Sequence, residues 1–165
     1  MHDAIEENAR AEKQERCVFR SYMEMALREA RAAGERGEVP VGAVIVRDGE
    51  VLGTAGNRTR ELSDPTAHAE VLVIRAACAA LGSERIEGAD LYVTLEPCPM
   101  CAAAISFARV ARLYYGAADP KSGGVAQGAR IFQHPQCHHV PQVYDGIGAG
   151  ESESLLRGFF AARRS

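Results

Sequence analysis

A three-layer α/β sandwich built on a mixed sheet is the fold class this sequence predicts, and three observations predict it. Two apolar runs, VPVGAVIV and VLGTA, flank Asp48-Gly49, the dipeptide of tight hairpin turns, and so read as paired antiparallel strands. The stretch ADLYVTLE, PCPMCAAAISFAR, VARLYYGA reads as strand, short helix and strand, a unit whose two strands are parallel and neighbouring. The full order, α-β-β-α-β-α-β-(β)-α, interleaves helices with strands and makes the mixed sheet five-stranded when the short last strand is counted.

Each element has its own signal. Phe19, Met23, Ala26, Leu27 and Ala30 recur at helical spacing, and Gly37 terminates that first helix. Residues 1–16, MHDAIEENARAEKQER, are polar and read as a tail or a solvated extension of the helix; a single domain occupies 17–165. Strands follow near 41–46 and 51–55. After the polar loop RTRELSDPT comes AHAEVLVIRAACAALG, apolar nearly all round, as a helix buried on several sides would be. Asp64-Pro65 or Thr66 supplies its start signal and Gly82 its stop. Downstream of the strand-helix-strand unit, ADPKSGGVAQGARIFQHPQCHH is rich in Gly, Pro and polar residues and reads as a long loop or weak helix. A short strand near 143–147 and a helix from about Ser152 complete the chain.

Bulk properties narrow the function classes. At 165 residues, 47% hydrophobic and 25% charged, the chain suits one globular domain. It holds no apolar run near the roughly 20 residues needed to cross a bilayer, and its N-terminus lacks the apolar middle of a secretion signal. No membrane role and a cytoplasmic location are the expectations. The net charge of -3 does not mark a general nucleic-acid binder, although Arg157, Arg163 and Arg164 form an acid-free C-terminus. Such cations equally complement the end of a helix. Five cysteines without a leader argue against a disulfide framework. Cys78 sits in an apolar helix as a core residue, while Cys98 and Cys101 have metal-ligand spacing.

Two short stretches carry the chemistry. In TAHAE, His68 and Glu70 stand at a helix start; in EPCPMC, Cys98 and Cys101 do the same. On a regular helix residues two apart diverge by about 200°, but at the first turn both side chains can project past the helix end. Cys98 and Cys101, at i and i+3, share one face, and the positive end of the helix favours their thiolates. One histidine and two cysteines are three protein ligands for a tetrahedral zinc, which leaves a position for water, the mark of a catalytic rather than a structural site. Glu70 beside that water suits proton transfer, not ligation. A competing arrangement uses His134, Cys137, His138 or His139 of HPQCHH to close a four-ligand structural site, and that segment could instead line a substrate wall.

H-A-E followed by P-C-P-M-C matches the H-x-E, P-C-x-x-C signature of the zinc nucleoside and nucleobase deaminases. Beyond the signature, VPVGAVIV, GNRTRELSDPTAHAE, DLYVTLEPCPMCAAAIS, ARLYYGAADPKSGG and FFAARR resemble the bacterial tRNA-specific adenosine deaminases across most of the chain. The resemblance implies the cytidine-deaminase-like α/β/α fold, one Zn2+ per subunit, and a homodimer. It implies hydrolytic conversion of adenosine to inosine at the wobble position of a tRNA anticodon stem-loop. His68, Cys98 and Cys101 fall on the zinc ligands, Glu70 on the proton carrier, and Asn57 on a residue holding the target nucleotide. Asp119 falls on a loop position near the RNA backbone, where a carboxylate would accept from a 2'-hydroxyl. The segment 124–150 departs from the commonest family pattern. A deaminase of a free nucleobase or nucleoside, such as guanine or cytosine, is the alternative.

Overall fold

The computed structural model describes residues 2–164, apart from the side chains of residues 2, 3 and 18–21. Phe19, expected on the apolar face of the first helix, lies outside the described side chains. Helix α1 runs His2–Glu35, and its residues 4–17 are exposed to solvent. It stops at Gly37, which adopts φ +85°. Strands β1 (Gly42–Arg47) and β2 (Glu50–Gly56) are joined by Asp48 and Gly49, at φ 52° and 75°. Two consecutive left-handed residues are what a two-residue hairpin matching the twist of its strands requires. The hairpin carries a bulge on the β2 side, where Ile45 pairs with Gly53 but Val46 with Val51.

Helix α2 (Ala69–Leu81) ends at Gly82 in the left-handed region, as expected. Strand β3 (Asp90–Leu95), helix α3 (Pro99–Phe107) and strand β4 (Arg112–Ala117) follow, with β3 and β4 parallel. A single 3-10 turn, Ile131–Gln133, interrupts the long loop. Strand β5 is Gln142–Tyr144, earlier and shorter than the sequence suggested, because Gly146 and Gly148 turn the chain at positive φ immediately after it. Helix α4 (Ala149–Arg164) accordingly starts ahead of Ser152.

The sheet order is β2-β1-β3-β4-β5, antiparallel on the hairpin side and parallel from β3 to β5. Alternation along the strands divides the core. Ala43, Ile45, Leu91, Val93, Leu113 and Tyr115 pack against α2 and α3, while Val44, Val46, Tyr92 and Tyr114 pack against α1. Helix α1 lies so close to the hairpin that a Cβ on Gly42 would overlap the Ala26 carbonyl oxygen. On the α1 side the parallel register sets Tyr92 beside Tyr114 and Tyr114 beside Tyr144. Their rings stack at centroid separations of 4.6 and 4.9 Å, with Tyr22 of α1 at 5.4 Å from Tyr92. No helix among the described residues is long and apolar enough to cross a membrane.

Candidate metal centre and active site

The two chemical stretches meet where α2 and α3 begin. His68 immediately precedes α2 and Cys98 immediately precedes α3, both with extended backbone, and neither side chain caps its own helix. They turn toward each other instead. His68 Nδ1 lies 3.7 Å from Cys98 Sγ and 3.5 Å from Cys101 Sγ. A tetrahedral zinc with bonds of about 2.0 Å to nitrogen and 2.3 Å to sulfur sets these edges at about 3.6 Å. The donors therefore have the spacing and the chemistry to hold such an ion. Among the described residues this is the one group of three His, Cys, Asp or Glu side chains with ligand atoms so close.

Because His68 faces the sulfurs, it cannot cap α2, and the task passes to a residue twelve positions upstream. Asn57, buried, accepts the Ala69 N–H on its Oδ1 at 2.8 Å. The expected start residues form a local turn before the helix, with Asp64 Oδ1 accepting from the Thr66 N–H and hydroxyl. Pro99 occupies the first turn of α3, where its missing N–H goes unneeded.

Electrostatics separates the roles. Glu70 is buried, and loss of solvation pushes its carboxyl up to about 7, although its own N–H and His68 oppose the rise. It sits against the Cys101 thiol and outside the three-donor group. A carboxyl poised near neutrality can both take and return a proton. The Cys101 thiol, followed by His68, holds Cys98 down to about 4 against the effect of burial. Cys101 is driven the opposite way by the adjacent Cys98 and by burial. Its neighbour Cys98 raises His68.

Asp119 lies in the loop after β4. Its Oδ1 accepts from the Lys121 and Ser122 N–H groups, and its own N–H donates to Glu96 Oε1. The HPQCHH segment does not reach the donor cluster. The buried Ser106 donates to the His139 carbonyl at 2.7 Å, Cys137 Sγ lies 3.4 Å from the same hydroxyl, and His139 Nε2 donates to the Val110 carbonyl. These contacts fix the segment at the far end of α3, about 13 Å of helix away from Cys98. The four-ligand alternative fails on that distance.

Two further carboxylates carry no signal in the sequence. Glu38, 1% exposed, accepts from the N–H groups of Arg60 and Glu61 and the hydroxyl of Thr59. Burial works to raise its pKa, but these donors and Arg36 prevail and hold it below 4.5. Glu96 gathers the loop after β4 in the same way. Motif spacing cannot signal either residue, because most of their partners are backbone amides.

Residues 18–117 match the family model for the cytidine and deoxycytidylate deaminase zinc-binding region. A tRNA-specific adenosine deaminase of Agrobacterium fabrum is 66% identical over 143 residues, covering 87% of this chain and 94% of that protein. A solved structure from work on A-to-I editing by tRNA:A34 deaminases at the wobble position of transfer RNA superposes with TM-score 0.82. It is 66% identical and covers 82% of this chain and 99% of that one. The guanine deaminase of Bacillus subtilis superposes with TM-score 0.60 at 31% identity, over 88% of this chain and 93% of its own. With this match over the donor cluster and both flanking helices, the chain belongs to the zinc-binding cytidine and deoxycytidylate deaminase family.

Proposed function

We propose that the protein hydrolyses the C6 amino group of adenosine to give inosine at the wobble position of a tRNA anticodon, acting in the cytoplasm. The observation that carries this is the three-donor cluster with the buried Glu70 beside it, in a chain 66% identical to a tRNA-specific adenosine deaminase. His68, Cys98 and Cys101 hold one zinc ion per subunit. When bound, zinc acts as a Lewis acid that brings the pKa of water to about 7.

The chain's own groups do the rest. Glu70 takes a proton from the attacking water and delivers it to N1 of adenine, which makes C6 electrophilic. A second transfer through Glu70 lets the amino group leave as ammonia, so water and adenosine give inosine and ammonia. Asn57, with Oδ1 committed to Ala69, keeps its NH2 for the target nucleotide. Asp119 has Oδ1 committed to its turn and offers Oδ2 to a ribose 2'-hydroxyl. An anticodon-loop base is cheap to unstack, which suits an enzyme of net charge -3.

We further propose a homodimer. Phe107, 76% exposed at the end of α3, borders a cleft of about 310 Å³ in which Ala103, Ile131 and Cys137 are flanked by Arg109, Gln136 and His138, an apolar centre with a polar edge suited to a second copy. The deciding assay compares inosine formation in purified tRNA with ammonia release from adenine, guanine, cytosine and cytidine. Inosine in tRNA is expected. Turnover of guanine alone would favour the second reading, which the 31% identity to a guanine deaminase supports.

A further inference from the structure

Glu96 belongs neither to the donor cluster nor to the proton path, yet it is 2% exposed and gathers four backbone N–H groups. Its Oε1 accepts from Asp119 at 3.1 Å, and Oε2 accepts from Val125, Ala126 and Gln127 at 3.2, 3.0 and 3.0 Å. No helix or strand covers residues 118–130, so this carboxylate takes the place of regular structure. The same segment is tied to the loop before α3, where the Gly124 N–H donates to the Pro97 carbonyl at 2.8 Å. Two glycines permit the approach. A Cβ on Gly123 would stand 2.5 Å from Glu96 Oε2, and one on Gly124 would stand 2.5 Å from Pro99 N. Burying a carboxylate is costly, and four charge-assisted hydrogen bonds offset that cost only while the segment keeps this shape.

We infer that Glu96 is a positioning residue for substrate: its carboxylate suspends residues 119–127 from the loop that carries Cys98, fixing Asp119 relative to the donor cluster. Lys121 and Ser122 are exposed beside Asp119, so the suspended segment presents their polar side chains to a ligand. The inference rests on the deaminase reading for what that ligand is, and on the hydrogen bonds alone for what Glu96 holds.

The test is Glu96→Gln in the zinc-loaded protein, which replaces one acceptor oxygen by a donor facing other donors. Losing a hydrogen bond of ordinary worth should speed amide exchange at Asp119, Val125, Ala126 and Gln127 by about tenfold. KM for an anticodon stem-loop should rise by about the same factor, with kcat within about threefold and zinc still one per chain. Gly123→Ala, whose Cβ would press on both the Glu96 carboxylate and the Asp119 carbonyl, should loosen the same tie, give the same KM-selective defect, and serves if the first variant does not fold. Unchanged exchange would overturn the inference. So would loss of zinc, or a fall in kcat at constant KM, since Glu96 would then merely brace the metal loop. If RNA proves not to be the substrate, KM is read on whichever free base releases ammonia, and the exchange result stands by itself.

Discussion

His68, Cys98 and Cys101 are legible as a set because ligand chemistry restricts residue type and helix geometry restricts spacing. Glu70 is legible by its offset from His68. What it does is set by burial, which a sequence does not display: an exposed glutamate at that offset would stay ionised and be a poor proton donor at neutral pH. Glu70→Gln should retain zinc and lose about 10²- to 10⁴-fold in rate, the usual worth of a positioned acid-base group. Metal analysis and ammonia release check the two halves, and loss of zinc in this variant would make Glu70 a ligand instead. Asn57 is expected to touch the nucleotide, but its bond to the Ala69 N–H is invisible in the sequence, since nothing in GNR names an amide twelve residues on.

Among the elements, those whose signal is local are the ones the sequence displays. Asp48-Gly49 marks the hairpin, Gly82 the end of α2, and the apolar strand-helix-strand unit the parallel pair. The last strand is misplaced by its pattern because Val143 to Ile147 reads as one strand, whereas the regular parallel ladder ends at Tyr144 and Gly146 turns the chain, with Gly146 and Ile147 still donating to the Gly116 and Tyr115 carbonyls. Loops held by a buried carboxylate have no local signal at all. Glu38 shows what such an anchor is worth. Its pKa is depressed in the folded state, so the stability it adds is fully present above 4.5 and is lost as pH falls through the lower folded value. Glu38→Gln should therefore be less stable than the parent by about 1–3 kcal/mol at pH 7. That gap should narrow as the pH drops below 4.5. Denaturant melts of both proteins at about pH 7 and about pH 3.5 measure it, and a gap independent of pH would assign the effect to shape instead of charge.

For the molecule as a whole, the two faces of the sheet have different duties. The α2–α3 face supports the site, while α1 and α4 close the opposite face and meet where Arg163 donates to the Gly37 carbonyl and lies 4.0 Å above the Phe159 ring. Ending the chain after Phe160 removes that latch together with Arg164. Affinity for tRNA should fall, and the slope of log K against log salt should become shallower by about one to two, one for each phosphate left without its arginine. Zinc content should not change; an unaltered slope would remove these arginines from RNA binding. Phe107→Asp should convert a dimer to a monomer by placing a charge on an apolar surface, a shift that sedimentation resolves. The row formed by Tyr22, Tyr92, Tyr114 and Tyr144 has a practical corollary. The chain has five tyrosines and no tryptophan. Four of its five tyrosines, the dominant fluorophores of a chain without tryptophan, therefore line up on the sheet face opposite α2 and α3. Intrinsic fluorescence will report the integrity of that back surface and stay nearly silent about events at the catalytic mouth, so a ligand titration followed by emission would need an added probe.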